Sequence, residues 1–147
     1  MISQSKQKGF TIVELLIVIV VIGILAAISI VAYNNVTQKA RDDQRVTDAR
    51  NIVNAAASYQ AEIGTWPSAG QLTGYNTVSL SGSAKTRLEH ASATGATNPT
   101  DGTKDTFYRY VACPASGTQT GVRVVYWKED GSSAQQLTAG TGCPTTP

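Results

Sequence analysis

The stretch Phe10–Tyr33, FTIVELLIVIVVIGILAAISIVAY, decides how this chain can fold. As a helix at about 1.5 Å per residue it would span about 36 Å, which exceeds the roughly 30 Å hydrocarbon core of a bilayer. A cleaved secretory signal is the alternative, but its apolar region is normally only about 7–15 residues long. No turn-forming break follows Tyr33 either. The stretch therefore predicts a membrane-spanning helix.

Glu14 is the only charged residue in that stretch. A carboxylate inside a membrane helix costs a few kcal/mol, and such residues usually have a partner and a function. Glu14 lies near the start of the run, however, where its side chain could reach the lipid headgroups. Position alone leaves both interpretations open.

Charge predicts an orientation for the helix. Lys6 and Lys8 precede it, and the positive-inside rule then keeps the N-terminus cytoplasmic and sends the C-terminal part outward. This predicts a single-pass protein of the cytoplasmic membrane. From Phe10 onward, Lys and Arg balance Asp and Glu, so composition gives no broad basic field for nucleic acid.

Two cysteines, Cys113 and Cys143, both lie in the C-terminal part. A pair outside a membrane segment favours one disulfide in an oxidising compartment, which agrees with the predicted orientation. Two unrelated free thiols are the alternative.

Helical sequence continues beyond the membrane-spanning stretch, because residues 34–63 contain neither Pro nor Gly. Gly64 is a natural helix stop, and Pro67 follows it. Apolar residues recur at steps of three and four, which predicts an amphipathic helix with one buried face. The residues expected on that side are Val46, Ala49, Val53, Ala56, Tyr59 and Ile63. The charged pairs Lys39–Asp43, Asp42–Arg45 and Arg45–Asp48 are expected on the other faces, each adding a few tenths of a kcal/mol.

The rest of the chain predicts a loop region followed by a small sheet. Within this loop region a short helix is predicted around Ala84–Ala91. Aromatic and β-branched residues, alternation and turn signals then predict three strands in an antiparallel meander. The predicted strands are Thr106–Ala112, Gly121–Trp127 and Ser133–Thr138. The amphipathic half of the helix would cover this sheet, so the predicted fold class is α+β, a long N-terminal helix packed on a small antiparallel sheet.

The N-terminal pattern resembles the type IV pilin and pseudopilin family. The resemblance rests on Lys8-Gly9-Phe10-Thr11, with Glu14 following, in front of the apolar run. Gly64-Thr65-Trp66-Pro67 after Tyr59 is similar to the motif that ends the long helix in many members. Confident resemblance covers about residues 6–67, and the C-terminal half matches in layout only. The implied segments are a leader 1–9, a membrane and fibre-core half 10–33, an amphipathic half 34–64, an αβ-loop 65–105 and a sheet region 106–147 that carries the disulfide.

The resemblance implies a processing pathway and a partner for Glu14. A prepilin peptidase would cut between Gly9 and Phe10 and methylate the new amine of Phe10. Subunits would wait in the membrane and then join a helical fibre through their N-terminal helices. The Glu14 carboxylate would pair with the Phe10 ammonium of a neighbouring subunit, so Phe10 and Glu14 are the implied assembly residues. The protein would be a substrate of an enzyme but not an enzyme itself, and no cofactor is implied.

One departure from the family pattern concerns the bend in the helix. Most members of the type IVa class, which the nine-residue leader and the Phe resemble, carry a Pro where this chain has Val31. That Pro is associated with a kink and with local melting of the helix in fibres. Gly23 remains a weak point, costing about 1 kcal/mol relative to Ala. A straighter helix is therefore expected, and melting between Gly23 and Val31 is in doubt.

The resemblance favours a structural pilin of a fibre used for adhesion, twitching motility or DNA uptake. One alternative is a pseudopilin of a type II secretion or competence machine, although major secretion pseudopilins commonly lack a disulfide. Another is a membrane-tethered extracellular binding module that never polymerises and keeps its N-terminus uncut.

Two further sets of residues were weighed as sites. Arg109, Arg123 and Lys128 lie among the aromatic residues of the predicted strands, and such a set could contact DNA. Sheet packing with a solvated face is the more common role of such residues. Asp101 and Asp105 place two carboxylates in one loop, but the oxygen ligands are too few to specify calcium, and no metal site is predicted.

Overall fold

The computed structural model describes residues 9–94, 97–114 and 117–146, with the side chains of residues 89–94 excepted. Residues 1–8 of the predicted leader lie outside the described residues. The helices are α1 (Ile12–Ile63), α2 (Ala69–Thr73) and α3 (Gly82–Thr94), and the strands are β1 (Arg109–Cys113), β2 (Gly121–Lys128) and β3 (Ser133–Gly140). The chain divides into two compact units, Met1–Thr37 and Gln38–Pro147.

The first unit contains the apolar part of α1. This helix is long and apolar enough to cross a membrane, and none of its most apolar window is buried. The helix continues without interruption through Gly23 and Val31. The hydroxyl of Ser29 donates to the carbonyl of Leu25 at 2.7 Å, a bond made within the helix. α1 is therefore continuous in the single chain, while the straighter helix and its behaviour in a fibre stay predictions.

The second unit contains a three-stranded antiparallel sheet in the order β1-β2-β3. Val124 at the centre of β2 lies opposite Tyr110 on β1 and Leu137 on β3. The predicted meander is confirmed, with strand ends that differ from the predicted ones by a few residues. We call the face that carries Val122, Val124 and Tyr126 the inner face, because it packs on α1.

The core of the second unit lies between α1 and the inner face of the sheet. Small and β-branched side chains of α1 meet aromatic and aliphatic side chains of the sheet, with Leu72 of α2 and Leu88 of α3 closing the sides. The buried apolar residues of α1 are Ala49, Ile52, Val53, Ala55 and Ala56. These findings confirm the predicted α+β fold. Ile63, expected on the buried side, is 55% exposed, because α1 leaves the core after Ala56.

The region predicted as a loop, 65–105, contains two helices. The short helix α2 was not predicted, although Ser68 and Gln71 form a capping box at its start. The Ser68 Oγ accepts from the Gln71 N–H at 3.4 Å, and the Gln71 Oε1 accepts from the Ser68 N–H at 2.8 Å. The other helix, α3, is longer than the short helix predicted around Ala84–Ala91.

The residues that follow α1 fit against the sheet through contacts between side chains and backbone. Gly64 has φ +84° and donates its N–H to the carbonyl of Gln60 at 2.8 Å, which closes the last turn. The Tyr110 hydroxyl donates to the carbonyl of Pro67 at 2.7 Å. Trp66 lies against Gly140, where an added Cβ would come within 2.6 Å of the indole Cζ2. The predicted stop at Gly64 is confirmed.

Candidate functional site

The start of α1 holds the residues that the sequence singled out for processing and assembly. Gly9 and Phe10 precede the helix, and Phe10 is 91% exposed. Thr11 caps the helix, and its Oγ accepts from the Glu14 N–H at 3.2 Å. The Glu14 Oε2 in return accepts from the Thr11 N–H at 2.8 Å and from the Thr11 hydroxyl at 2.7 Å. Thr11 and Glu14 therefore form a capping box, which fixes the direction in which the carboxylate leaves the helix.

Sequence reasoning missed this local role of Glu14. The signal was present, because Thr11-x-x-Glu14 in front of an apolar run has the spacing of a capping box. Both side-chain hydrogen bonds use Oε2, and among the described residues no hydrogen bond reaches Oε1. One oxygen of the carboxylate is thus held by its own helix, while the other can accept from a further donor.

Between Ile12 and Val31, on both sides of Glu14 in the sequence, α1 exposes a continuous apolar surface. Soluble proteins rarely expose contiguous apolar patches larger than a few hundred Å², so this surface requires lipid or other apolar helices around it. The large apolar side chains that are at least about half exposed include Ile12, Val13, Leu15, Leu16, Ile17, Val18, Ile19, Val20, Ile22, Ile24, Leu25, Ile28, Ile30 and Val31.

The second unit contains a buried ionic network around Arg45, whose side chain is 1% exposed. Its Nη1 donates to the Asp42 Oδ1 at 2.8 Å, and its Nη2 donates to the Glu129 Oε1 at 2.8 Å and the Asp105 Oδ1 at 2.7 Å. Arg41 adds a two-point contact to Glu129, with both N–O distances at 3.0 Å. The Arg41 and Arg45 guanidiniums lower the pKa of Glu129 to about 2, against the opposing effect of its burial.

Asp42 connects α1 to the turn between β2 and β3. Its Oδ1 accepts from the backbone N–H of Glu129 and its Oδ2 from that of Asp130, both at 2.9 Å. Asp42 and Arg45, predicted on faces of α1 other than its apolar, core-facing one, are both buried with the core. The prediction was wrong because their partners come from the hairpin turn and from Asp105, which local spacing along a helix cannot reveal.

Asp48, also predicted on a face of α1 other than the apolar one, is buried and connects α1 to the start of α3 and to Tyr108, which directly precedes β1. It accepts from the hydroxyls of Ser81 and Ser83 at 2.9 Å each and from that of Tyr108 at 3.0 Å. Arg87 of α3 donates to the same Tyr108 hydroxyl and lies 3.9 Å from an Asp48 oxygen. Burial raises the pKa of Tyr108, which keeps this hydroxyl protonated as a donor.

The disulfide predicted between Cys113 and Cys143 is present. It attaches the segment after β3 to the end of β1, on the face of the sheet opposite the inner face. The Gln136 Nε2 donates to the carbonyl of Pro144 at 2.9 Å, and the Arg123 Nη1 donates to that of Thr146 at 2.8 Å. The described tail, residues 141–146, therefore covers part of this second face.

The structure separates the residues weighed for DNA contact. Residues directly opposite on paired strands share a face, so Tyr110 and Tyr126 lie on the inner face with Val124. Arg109 and Arg123 point to the opposite side. Of the aromatic residues in the predicted set, Trp127 alternates onto the side of Arg109 and Arg123, whereas Tyr110 and Tyr126 do not belong to that surface. Asp105 belongs to the network around Arg45, and the described residues contain no group of three or more metal-ligating side chains.

Comparisons with known proteins agree with the N-terminal geometry. The model of the prokaryotic N-terminal methylation motif matches residues 4–30. A fimbrial protein of Neisseria meningitidis serogroup A is 40% identical over 65 residues, covering 44% of this chain and 38% of the relative. The type IV major pilin protein PilE1 of Neisseria gonorrhoeae is 39% identical over 64 residues, covering 44% and 39%. A fimbrial protein of Pseudomonas aeruginosa is 42% identical over 55 residues, covering 37% and 36%.

The chain thus spans about two-fifths of the length of the curated relatives it matches. No solved structure matches it.

Proposed function

We propose that this chain, which carries the N-terminal segment of a type IV pilin, is a structural subunit that polymerises through α1 into a type IV pilus. One observation carries the proposal. The methylation motif runs directly into a helix whose apolar surface is exposed on all sides, while the second unit has its own packed core. Such a helix needs lipid before assembly and other helices after it.

Processing would take place at the start of α1. In the proposed pathway a prepilin peptidase removes residues 1–9, cutting between Gly9 and Phe10, and the new amine of Phe10 is methylated. Both residues precede the first turn of α1, and both are exposed, which suits access by an enzyme. Before assembly the subunit would sit in the cytoplasmic membrane with its N-terminus inside and its second unit outside, where Cys113 and Cys143 can be oxidised.

Glu14 would form the contact that sets the position of one subunit against the next. Methylation leaves the Phe10 amine positively charged, so it remains a partner for a carboxylate. A charge left alone in an apolar core is strongly unfavourable, and a pair is much less so. Thr11 holds the Glu14 Oε2, which leaves Oε1 to accept from the Phe10 ammonium of a neighbouring subunit.

The second unit would form the outer surface of the fibre. Its buried network and its disulfide both lie within residues 38–147, which suits a folded unit exposed outside the cell. The proposed uses are adhesion, twitching motility or DNA uptake. The chain itself has a structural role, and the prepilin peptidase and the pilus assembly machinery are its proposed partners.

The first experiment identifies the form of the protein in the fibre. Cells are sheared, and the released material is analysed by intact-mass spectrometry with and without reduction. We expect a chain that begins at Phe10, heavier by one CH2 because a methyl group replaces an amine hydrogen, and lighter by the two hydrogens lost in the disulfide. Full-length chain confined to the membrane fraction would contradict the proposal.

The second experiment tests the assembly contact. Glu14→Gln removes the charge but keeps the size of the side chain, so we expect normal membrane insertion and a fall in sheared fibre of at least about tenfold, the factor that corresponds to about 1.4 kcal/mol. Asp43→Asn is the control, since Asp43 is an exposed carboxylate of α1 outside the apolar half, and its side chain has no hydrogen bond or ion pair within the described residues. Equal fibre yields from the two variants would remove the ion-pair argument.

A further inference from the structure

A cleft lies beside the residues that follow α1, within the second unit. We call it the Trp66 cleft, and it is lined by Gly64, Thr65, Trp66, Gly117, Thr118 and Gln119. The first three follow α1 directly, and the other three belong to the connection between β1 and β2. The cleft opens to solvent and has a volume of about 330 Å³. Small-molecule sites begin at about 300 Å³, so the cleft is large enough for a compound with a single small ring.

Two of the lining residues are glycines with positive φ, and both leave space at the cleft. Gly64 has φ +84° and Gly117 has φ +90°. A Cβ added to either residue would have no atom within 4 Å apart from its neighbours along the chain. The backbone at these two positions is therefore not covered by side chains, and a ligand can approach it closely.

The polar side chains of the cleft are accessible and have no partner of their own. Thr65, Thr118 and Gln119 are exposed, and their side chains form no hydrogen bond within the described residues. The indole N–H of half-buried Trp66 has no acceptor there either. Unlike the indole N–H of Trp127, it is not one of the buried unmatched donors, so it reaches solvent. A ligand in the cleft can therefore contact all four polar groups.

The chemistry of the lining selects a neutral ligand that is rich in hydroxyl groups. None of the six lining residues carries a charge, so the cleft offers no counter-ion to a phosphate, a carboxylate or an amine. The two threonine hydroxyls and the Gln119 carboxamide can each donate and accept, which is also the property of an alcohol. The Trp66 indole adds a large flat apolar surface with one N–H donor. A sugar ring matches this set, because it combines an apolar C–H face with hydroxyls around its rim.

We propose that the Trp66 cleft binds a neutral sugar, with a C–H face of the ring against the Trp66 indole and ring hydroxyls bonded to Thr118 and Gln119. A proline-rich peptide fits less well, because the grooves that bind such peptides are lined by aromatic side chains, and this cleft has one. The site does not depend on polymerisation. In a fibre it would be repeated on every subunit, and many weak sites together bind a surface far more tightly than one.

The test uses the full chain, labelled with ¹⁵N, in a detergent with a polyoxyethylene head group, because a detergent with a sugar head group would compete. The methyl glycosides of glucose, galactose and N-acetylglucosamine are titrated separately. We expect a saturable shift of the Trp66 indole N–H signal with at least one of them, with half-saturation in the millimolar range. The indole N–H of Trp127 is buried, so its signal is the internal reference and should not shift. Sorbitol, an open-chain polyol, controls for general solvent effects.

Variants then locate the binding in the cleft. Thr118→Val and Gln119→Ala should each weaken sugar binding by about threefold to tenfold, as expected for the loss of one neutral hydrogen bond. Both side chains are exposed and unbonded, so the fold should persist, and amide dispersion checks this. Thr138→Val is the matched control, since Thr138 is an exposed threonine of β3 outside the cleft, and it should leave binding unchanged.

Three outcomes would overturn the sugar site. They are the absence of a saturable shift with all three glycosides, an equal shift with sorbitol, and equal weakening by Thr138→Val. A tetraproline peptide is titrated in the same way. A saturable Trp66 shift with this peptide and none with the glycosides would assign the cleft to peptide binding and also overturn the proposal.

Discussion

Replacing Arg45 by Met tests whether the buried ionic network holds the second unit together. Met is similar in length and apolar, so the change removes the charge and its hydrogen bonds while keeping most of the packing. The carboxylates of Asp42 and Glu129, which are 2% and 9% exposed, would lose a cation at 2.8 Å. Asp105 would lose its contact as well, but it is 57% exposed and water can replace the arginine.

The size of the effect follows from what each carboxylate keeps. Asp42 retains two backbone N–H donors, and Glu129 retains Arg41, so neither group is left wholly without partners. Removing one member of a buried pair typically costs about 3–5 kcal/mol. With these remaining partners we expect the lower part, about 3–4 kcal/mol. At about 4 °C per kcal/mol for a unit of this size, the midpoint of thermal unfolding should fall by roughly 12–16 °C.

Urea unfolding of the full chain in nonionic detergent measures this loss through tryptophan fluorescence, since both tryptophans lie in the second unit. Arg50→Met on an exposed face of α1 is the control and should change the free energy of unfolding by no more than about 0.5 kcal/mol. Adding Glu129→Gln to Arg45→Met should cost less than the sum of the two single changes. A loss within about 1 kcal/mol of the control, or strict additivity, would refute the network.

Three further predictions concern pH, a glycine and the disulfide. The pKa of Glu129 is about 2 in the folded chain and ordinarily 4.5, so its ionised form stabilises the fold above pH 4.5. That stability should disappear as the pH falls from about 4.5 towards about 2, and urea titrations of Glu129→Gln should lack this part of the acid loss. Gly140→Ala should lower the free energy of unfolding by about 2–4 kcal/mol, because φ is +79° and the new Cβ would lie 2.6 Å from Trp66. Gly117→Ala is the control. Its φ is +90° but its surroundings are open, so its loss in the same assay should be clearly smaller. Cys143→Ser should lower stability by about 3–4 kcal/mol for a bridge with a sequence separation of 30, and reduction of the unaltered chain should cause the same loss by thermal unfolding. An unchanged midpoint of thermal unfolding, in Cys143→Ser or in the reduced chain, would contradict the last prediction.

Features of the fold that depend on local sequence could be predicted. The absence of Pro and Gly before Gly64 predicts one continuous helix, and alternation with turn signals predicts the three strands in order. The disulfide could be predicted because the chain has two cysteines, both outside the apolar stretch, and so offers a single possible pairing. The capping boxes at Thr11 and Ser68 were equally local, and their spacing could have revealed both the held carboxylate of Glu14 and the short helix α2.

Features that depend on distant partners could not be predicted. Asp42, Arg45 and Asp48 follow each other at three-residue steps, which on an isolated helix is the pattern of exposed ion pairs. Their burial depends on Glu129, which lies 84 residues after Arg45, and on Tyr108, which lies 60 residues after Asp48. The side of β2 opposite the inner face is similar, since Val125 is fully buried there although alternation along the strand would place it towards solvent.

The buried charges have a role that apolar packing alone would not fill. The side chains that α1 places against the sheet include Ala49, Ala55 and Ala56, which are small and similar to one another. Such a surface resists a shift of the helix along its axis only weakly. Asp42 and Asp48, by contrast, bind donors at two separate places, the β2–β3 turn and β1 with α3.

A displacement of α1 by one turn, about 5.4 Å, would separate both carboxylates from their donors and leave them buried without partners. Since one such buried charge costs several kcal/mol, the displaced arrangement is excluded even where the apolar contacts would tolerate it. The network thus acts mainly by penalising wrong positions of the helix. This explains why charged residues occupy a place where apolar residues of equal volume would pack as stably.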